Sequence, residues 1–219
     1  MSAEEKTNLP VEKTNVIVNQ VFGIPIWATD PYEFSDEEKR HLKKFYNDTI
    51  ENKDKNKTST NNYIFKDEIL KDIKQFIQDN LDAYWHSLYA VDESVKLRIT
   101  QSWVNFNEKN TSHHSHCHSN SVISGVMYVE NTAPLIVERP LHWSFCPHLS
   151  FKHTKENNWN TPQMSIATKN GVLILFPSTT LHRVGPNKSE NCRISISFNA
   201  FPVGKLGFTE RLTELNINE

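Results

Sequence analysis

From Val95 onward the apolar residues of this chain recur every second position, and that period limits the fold more than any other feature. Val95, Leu97 and Ile99 alternate with Lys96, Arg98 and Thr100, and the run continues through Trp103, Asn105 and Phe106. Alternation of this kind belongs to strands with one face buried. Three further stretches, SVISGVMYVE from Ser121, GVLILF from Gly171 and RISISFNAF from Arg193, are strand candidates separated by turn-rich loops. Short strands cannot each build a core alone, so the pattern predicts an antiparallel sandwich or barrel.

Two helical patterns precede the strands and should pack outside them. Ser35 followed by Glu38 forms a capping-box signature, after which Leu42, Phe45, Tyr46, Thr49 and Ile50 recur at helical spacing. Beyond an expected exposed connection at 51–62, Ile69, Leu70, Ile73, Phe76, Ile77, Leu81, Tyr84, Trp85 and Leu88 make a longer apolar stripe. Residues 16–27 read as an early strand bent at Gly23 and Pro25, and the polar residues 1–15 as an extended or disordered tail. The expected organisation is one domain over 16–219, with helical support at about 35–90 and a β core at about 95–207. Residues 131–170 read as an irregular loop rich in Pro, with Trp143, Phe145, Phe151 and Trp159. Such a loop either covers substrate at a barrel mouth or packs over a sheet edge.

Composition excludes several classes of function. A net charge of -2 makes nucleic acid an unlikely partner, and no apolar run approaches the roughly 20 residues that span a bilayer. The polar start lacks the core of a secretory signal, and the three cysteines, Cys117, Cys146 and Cys192, form no CxxC pair. Both features predict a cytoplasmic protein.

Chemistry concentrates in His113, His114, His116 and His118, just ahead of the strand near Ser121. On an extended chain, residues i and i+2 project to one side about 6.6 Å apart, so His116 and His118, or His114 and His116, can converge on one metal. His182, after GVLILFPSTT, supplies a distant third ligand. Two near ligands and one far one on a β scaffold leave coordination positions open, as in non-haem iron(II) oxygenases. A surface histidine patch that binds metal adventitiously is the bland alternative. Arg193 weighs against it. In RISISFN, Arg193, Ser195 and Ser197 share one face, and a buried guanidinium requires an anionic partner. That partner is either a structural acid such as Glu130 or a dicarboxylate ligand gripped by the planar fork with help from Ser195.

The stretches SWVNFN, HCHSNSVISGVMYVE, GVLILFPSTTLHRVGPN and RISISFN, with VFGIPIW as a weaker echo, resemble the 2-oxoglutarate- and iron(II)-dependent oxygenases of double-stranded β-helix fold, in particular a branch common in bacteria and tailed phages. The resemblance covers about Leu97 to Gly207. It implies a mainly β, jelly-roll core and an oxidoreductase that consumes oxygen and 2-oxoglutarate, releases succinate and carbon dioxide, and most simply hydroxylates a substrate. It further implies that His116 and His182 ligate Fe(II), that Arg193 and Ser195 anchor 2-oxoglutarate, and that Asn105 and Tyr128 face the co-substrate pocket. The sequence departs from the superfamily at His118, where an acid is usual. Either His118 completes an all-histidine site, or a carboxylate such as Glu138 arrives from the loop. Two rival readings stand beside this one: a cupin-type three-histidine dioxygenase that needs no 2-oxoglutarate, and a noncatalytic metal-binding jelly roll. The sequence indicates a small-molecule or peptidyl substrate without naming it, and leaves the oligomeric state open.

Overall fold

The structure, a computed structural model, describes residues 23–141, 144 and 148–218. The tail 1–15, the start of the expected first strand at 16–22, and Trp143, Phe145 and Cys146 lie outside the described residues. In chain order the elements are β1 (Trp27–Ala28), α1 (Asp36–Lys44), β2 (Thr49–Glu51), β3 (Lys57–Ser59), α2 (Lys71–Asp82), β4 (Val95–Asn107), β5 (His113–His116), β6 (Ile123–Glu130), β7 (Leu135–Glu138), β8 (Gln163–Ile166), β9 (Leu173–Pro177), β10 (His182–Val184), β11 (Arg193–Leu206) and β12 (Leu215–Ile217). One sheet runs β1-β9-β6-β11-β4-β3-β2 with β12 beside β11, and a smaller one runs β5-β10-β7-β8. Ladders within both sheets are antiparallel. From β4 to β11 the chain crosses between the sheets at each step except the β7–β8 hairpin, so the two sheets are locked together by connectivity as well as packing.

The alternation along β11 divides the interior into two layers. Ile194, Ile196, Phe198 and Ala200 join Ile73, Ile77 and Leu81 of α2 and Leu42 of α1 in the core on the helical side of the large sheet. Between the sheets, Tyr128, Leu135, Val137, Val172, Ile174 and Phe176 form a second cluster. The capping box is made: Ser35 N donates to Glu38 Oε2 at 2.7 Å and Ser35 Oγ accepts from Glu38 N at 3.2 Å. Beyond α2 the helix continues through Ala83–Leu88 as a wider π turn. Tyr84 there donates to Pro25 O, while Ile69 and Leu88 at the stripe's ends remain exposed. No described helix is long and apolar enough to cross a membrane.

Three expectations are corrected. The first helix stops at Lys44, and Thr49 and Ile50 enter β2, where their β-branched side chains suit a ladder with Ser59 and Thr58. Residues 51–62 are therefore not a bare exposed connection. They carry β3, which pairs Lys57 with Phe106 and Thr58 with Asn105, and Asn56 and Ser59 are buried. Their burial escaped hydropathy because it is satisfied by hydrogen bonds: Ser59 Oγ accepts from Val104 N at 3.0 Å, and Asn56 Nδ2 donates to Asn105 Oδ1 at 3.3 Å. The stretch 131–170 contains β7 and β8, and its described aromatics Phe151 and Trp159 are exposed rather than part of the core.

Gly125 of β6 marks the tightest point of the helical-side core. A Cβ there would lie 2.3 Å from Phe198 Cζ and 2.8 Å from Leu175 Cδ2. Both neighbours are fully buried. Gly125→Ala should therefore cost about 1–3 kcal/mol by overpacking, read as a lower urea midpoint with an unchanged slope.

Candidate metal and dicarboxylate site

The inward face of β11 is polar, and its neighbours answer it rung by rung. Arg193 pairs across β4 with Asn107, Ser195 with Asn105, Ser197 with Trp103 and Asn199 with Gln101. On the other side Ser195 faces Tyr128, Ser197 faces Val126 and Asn199 faces Ser124 of β6. The cavity between the sheets is lined by Arg193, Ser195, Ser197, Asn105, Trp103 and Tyr128 on the large-sheet side. His113, His116, His118, His182, Leu135 and Val184 bring the opposite wall.

His116 and His182 sit directly opposite one another in the β5–β10 ladder. Candidate ligand atoms of His116, His118 and His182 lie within 4.8 Å of one another, a set that could hold one metal ion. Each of the strand histidines has its second nitrogen committed: His116 Nδ1 bonds His114 O at 2.7 Å and His182 Nδ1 bonds Thr180 O at 2.8 Å. Because those carbonyls can only accept, both Nδ1 atoms carry the proton and both Nε2 lone pairs are free for a metal. His118 lies past the end of β5, its backbone N–H donating to Ser178 O at 2.9 Å, and its ring stacks parallel to His182 with centroids 5.2 Å apart.

The i, i+2 expectation holds only for the meeting of His116 with His118, and not for His114. Between Val184 and His182 the register slips, three residues of β5 spanning two of β10. That slip turns His113 onto the cavity side, stacked on His116 at 4.3 Å. His114 turns instead toward Asp54 of the β2–β3 turn, 3.5 Å away. His113 was named in the histidine cluster from sequence but given no place at the site, because a one-residue bulge reverses which histidines share a face. Glu138 is not in the group: it ion-pairs with Arg183 at 3.2 Å. Glu130 is not the partner of Arg193 either, since it bonds Lys43 at 2.7 Å.

Arg193 is 2% exposed. One amino group of its guanidinium donates to Asn107 Oδ1, while Nε and Nη1 have no hydrogen-bond partner. The Tyr128 hydroxyl in the same cavity is also buried and unpartnered. Asn105 is more committed, its oxygen accepting from Thr58 and Asn56 and its nitrogen donating to Ser197. Asn107, the residue that orients Arg193, was not singled out from sequence. Its signal was available only as the cross-strand partner of Arg193.

Burial sets the protonation of the cluster. Desolvation, then the neighbouring imidazoles, pulls His118 down to about 4 and His182 and His113 to about 3. His116 moves the same way for the same leading reason. Desolvation pushes the Tyr128 phenol up to about 12, against the pull of Arg193. At neutral pH the cavity therefore offers neutral imidazole nitrogens at one end and an unpaired guanidinium at the other, with no carboxylate among its lining residues.

Residues 101–199 match the family described as "Putative 2OG-Fe(II) oxygenase". No curated protein matches the chain. Among solved structures, an oxidoreductase of the 2OG-Fe(II) oxygenase family from Burkholderia pseudomallei is similar at 11% identity and a TM-score of 0.52, covering 80% of this chain and 84% of its own. The epimerase SnoN in complex with Fe3+, alpha ketoglutarate and nogalamycin RO is similar at 11% identity and a TM-score of 0.56, over 84% and 83%. A Pseudomonas putida prolyl-4-hydroxylase is similar at 10% identity and 0.52, over 80% and 91%. Identities this low establish the fold, a double-stranded β-helix, and the segment 101–199 that resembles the oxygenase family spans every residue of the cavity wall.

Proposed function

We propose that the chain is an iron(II)- and 2-oxoglutarate-dependent dioxygenase in which His116, His118 and His182 hold the metal and Arg193 with Ser195 holds the far carboxylate of the co-substrate. The observation that carries this reading is the pair of unpartnered guanidinium nitrogens on a residue 2% exposed, in the same cavity as the histidine cluster. A guanidinium left so costs several kcal/mol unless a ligand completes it. A dicarboxylate fits, because one end can chelate a metal while the other meets the fork. Asn107 fixes the plane of that fork, and Tyr128 has a free hydroxyl to donate to the same carboxylate. Leu135, Val184 and Phe176 keep water from the space between.

With both groups bound, iron and 2-oxoglutarate supply the oxygen chemistry, yielding succinate, carbon dioxide and an oxidised substrate. The chain contributes neutral nitrogen ligands, two of them of fixed tautomer, and a cation in the same cavity. Three imidazoles bring no negative charge to the metal, so the diacid carries the whole of the charge compensation inside the cavity. We further propose a small-molecule or peptidyl substrate and a reducing, cytoplasmic setting, in keeping with the free thiols Cys117 and Cys192. The all-histidine set also favours a second reading, a three-histidine dioxygenase that does not use 2-oxoglutarate.

Anaerobic Fe(II)-loaded protein should develop a visible metal-to-ligand band with 2-oxoglutarate and form succinate on exposure to oxygen. Arg193→Ala should weaken 2-oxoglutarate binding by about 100-fold, the loss of charge-assisted bonds worth about 3 kcal/mol, and Tyr128→Phe by about fivefold. Iron bound tightly with neither band nor succinate would leave the three-histidine dioxygenase as the better assignment.

Metal-free protein should lose stability as acid is added. The unfolded chain takes up protons below the usual imidazole value of 6.5, whereas folded His118 resists until about 4 and His182 and His113 until about 3. Stability present above pH 6.5 is then lost progressively as pH falls through that window. His113→Phe keeps the stacking and removes one such group, so the urea midpoint of this variant should vary less between pH 7 and pH 4. An equal pH dependence in the two proteins would contradict the assignment of a buried neutral imidazole.

A further inference from the structure

The metal-centre reading leaves one imidazole of the cavity without a task. His113 lines the same wall as His116, His118 and His182 but is not a member of the set whose nitrogens converge. Its ring is stacked on His116, with centroids 4.3 Å and planes 22° apart, and no group among the described residues hydrogen-bonds its nitrogens. We infer that His113 is a co-substrate-binding residue, its ring N–H donating to the keto-acid end of the bound diacid while Arg193 grips the far end. The inference rests on the dioxygenase reading above and adds a second protein contact to it.

Strand register sets His113 between the two ends of the cavity. His116 pairs with His182, and His113 pairs with Val184, further along β10 toward the loop that leads to Arg193. In that loop Asn187 N donates to Thr111 O at 2.9 Å, and Asn187 Nδ2 donates to Asn107 O at 2.8 Å. Asn107 in turn donates to the Thr111 hydroxyl at 3.4 Å and accepts from Arg193. His113 thus lies on the chain between Thr111, which is tied to the amide that orients the guanidinium, and the metal-facing ring of His116. A diacid spanning the cavity brings a carboxylate to the metal end as well as to Arg193, and an oxygen there that the metal does not take is a buried acceptor. Left without a donor, such an oxygen is costly. His116 and His182 have their Nδ1 protons committed to backbone carbonyls, and the Asn105 amide nitrogen is committed to Ser197. Apart from the three proposed ligands, His113 is the polar side chain that the histidine wall presents to the cavity. Its stack on His116 holds the ring plane before any ligand arrives, which lowers the cost of binding.

Anaerobic titration of the Fe(II)-loaded full chain, followed by the visible band, separates the two ends of the ligand. 2-Oxovalerate carries the same keto-acid group as 2-oxoglutarate and lacks the far carboxylate. His113→Phe keeps an aromatic ring without the donor and should weaken both acids by the same factor, about 10-fold, with Fe(II) affinity within about twofold of wild type. Arg193→Ala should weaken 2-oxoglutarate alone. His113→Gln returns an N–H donor and should recover most of the loss. A Phe variant that binds both acids within about twofold of wild type, weakens the diacid alone, or loses Fe(II) affinity by about 10-fold overturns the inference, as does a Gln variant no better than Phe. Should His113→Phe not fold, wild-type protein with Zn(II) in place of iron decides: a shift of the His113 ring N–H resonance on adding 2-oxovalerate supports the inference, and an unmoved resonance overturns it. Wild-type protein that binds Fe(II) yet shows no band with 2-oxoglutarate instead overturns the dioxygenase reading and this inference with it.

Discussion

A guanidinium held 2% exposed with two nitrogens unsatisfied is costly, and the rest of the cavity is arranged around it. Arg193 cannot be moved outward without reversing every residue of β11, because the strand's period is two and Ile194, Ile196 and Phe198 are committed to the helical-side core. The apolar half of the strand thus fixes the polar half. Once Arg193 faces the cavity, Asn107, Asn105 and Tyr128 face it too, since antiparallel register leaves them no alternative.

The histidine cluster is built by the opposite means. Its members come from a four-residue strand, a loop and a three-residue strand, none of which could hold a ligand geometry alone. Register pairing of His116 with His182 does the first part, two backbone carbonyls set their tautomers, and the parallel stack of His118 on His182 closes the set. The low proton affinity of these rings is a consequence of burial and mutual repulsion. It has a use as well as a cost, because an imidazole that stays neutral keeps its lone pair available for a metal.

The two halves of the cavity place different demands on the chain. The arginine end stands on long strands, β4 and β11, with many ladder bonds behind each residue. The histidine end stands on short strands and on hydrogen bonds to single atoms. Changes near His118 should therefore disturb ligand geometry before they disturb folding, while changes along β11 reach both.

Much of the arrangement was written in one dimension. Period-two alternation located β4 and β11, strand-like stretches between turn-rich loops located β6 and β9, the capping box located α1, and the inward set of Arg193 and Ser195 followed from RISISFN because a buried face repeats every second residue. The hairpin of β2 and β3 was hidden, as its buried members Asn56 and Ser59 are polar and become buried only through partners distant in sequence. The strands β7 and β8 were hidden by brevity and by surrounding prolines. What tertiary structure alone decided was which histidines meet: a bulge in β5 admits His113 and turns His114 away. A sequence records the order of side chains, but a register shift of one residue exchanges the faces of a strand, and that shift is set by contacts the order does not contain.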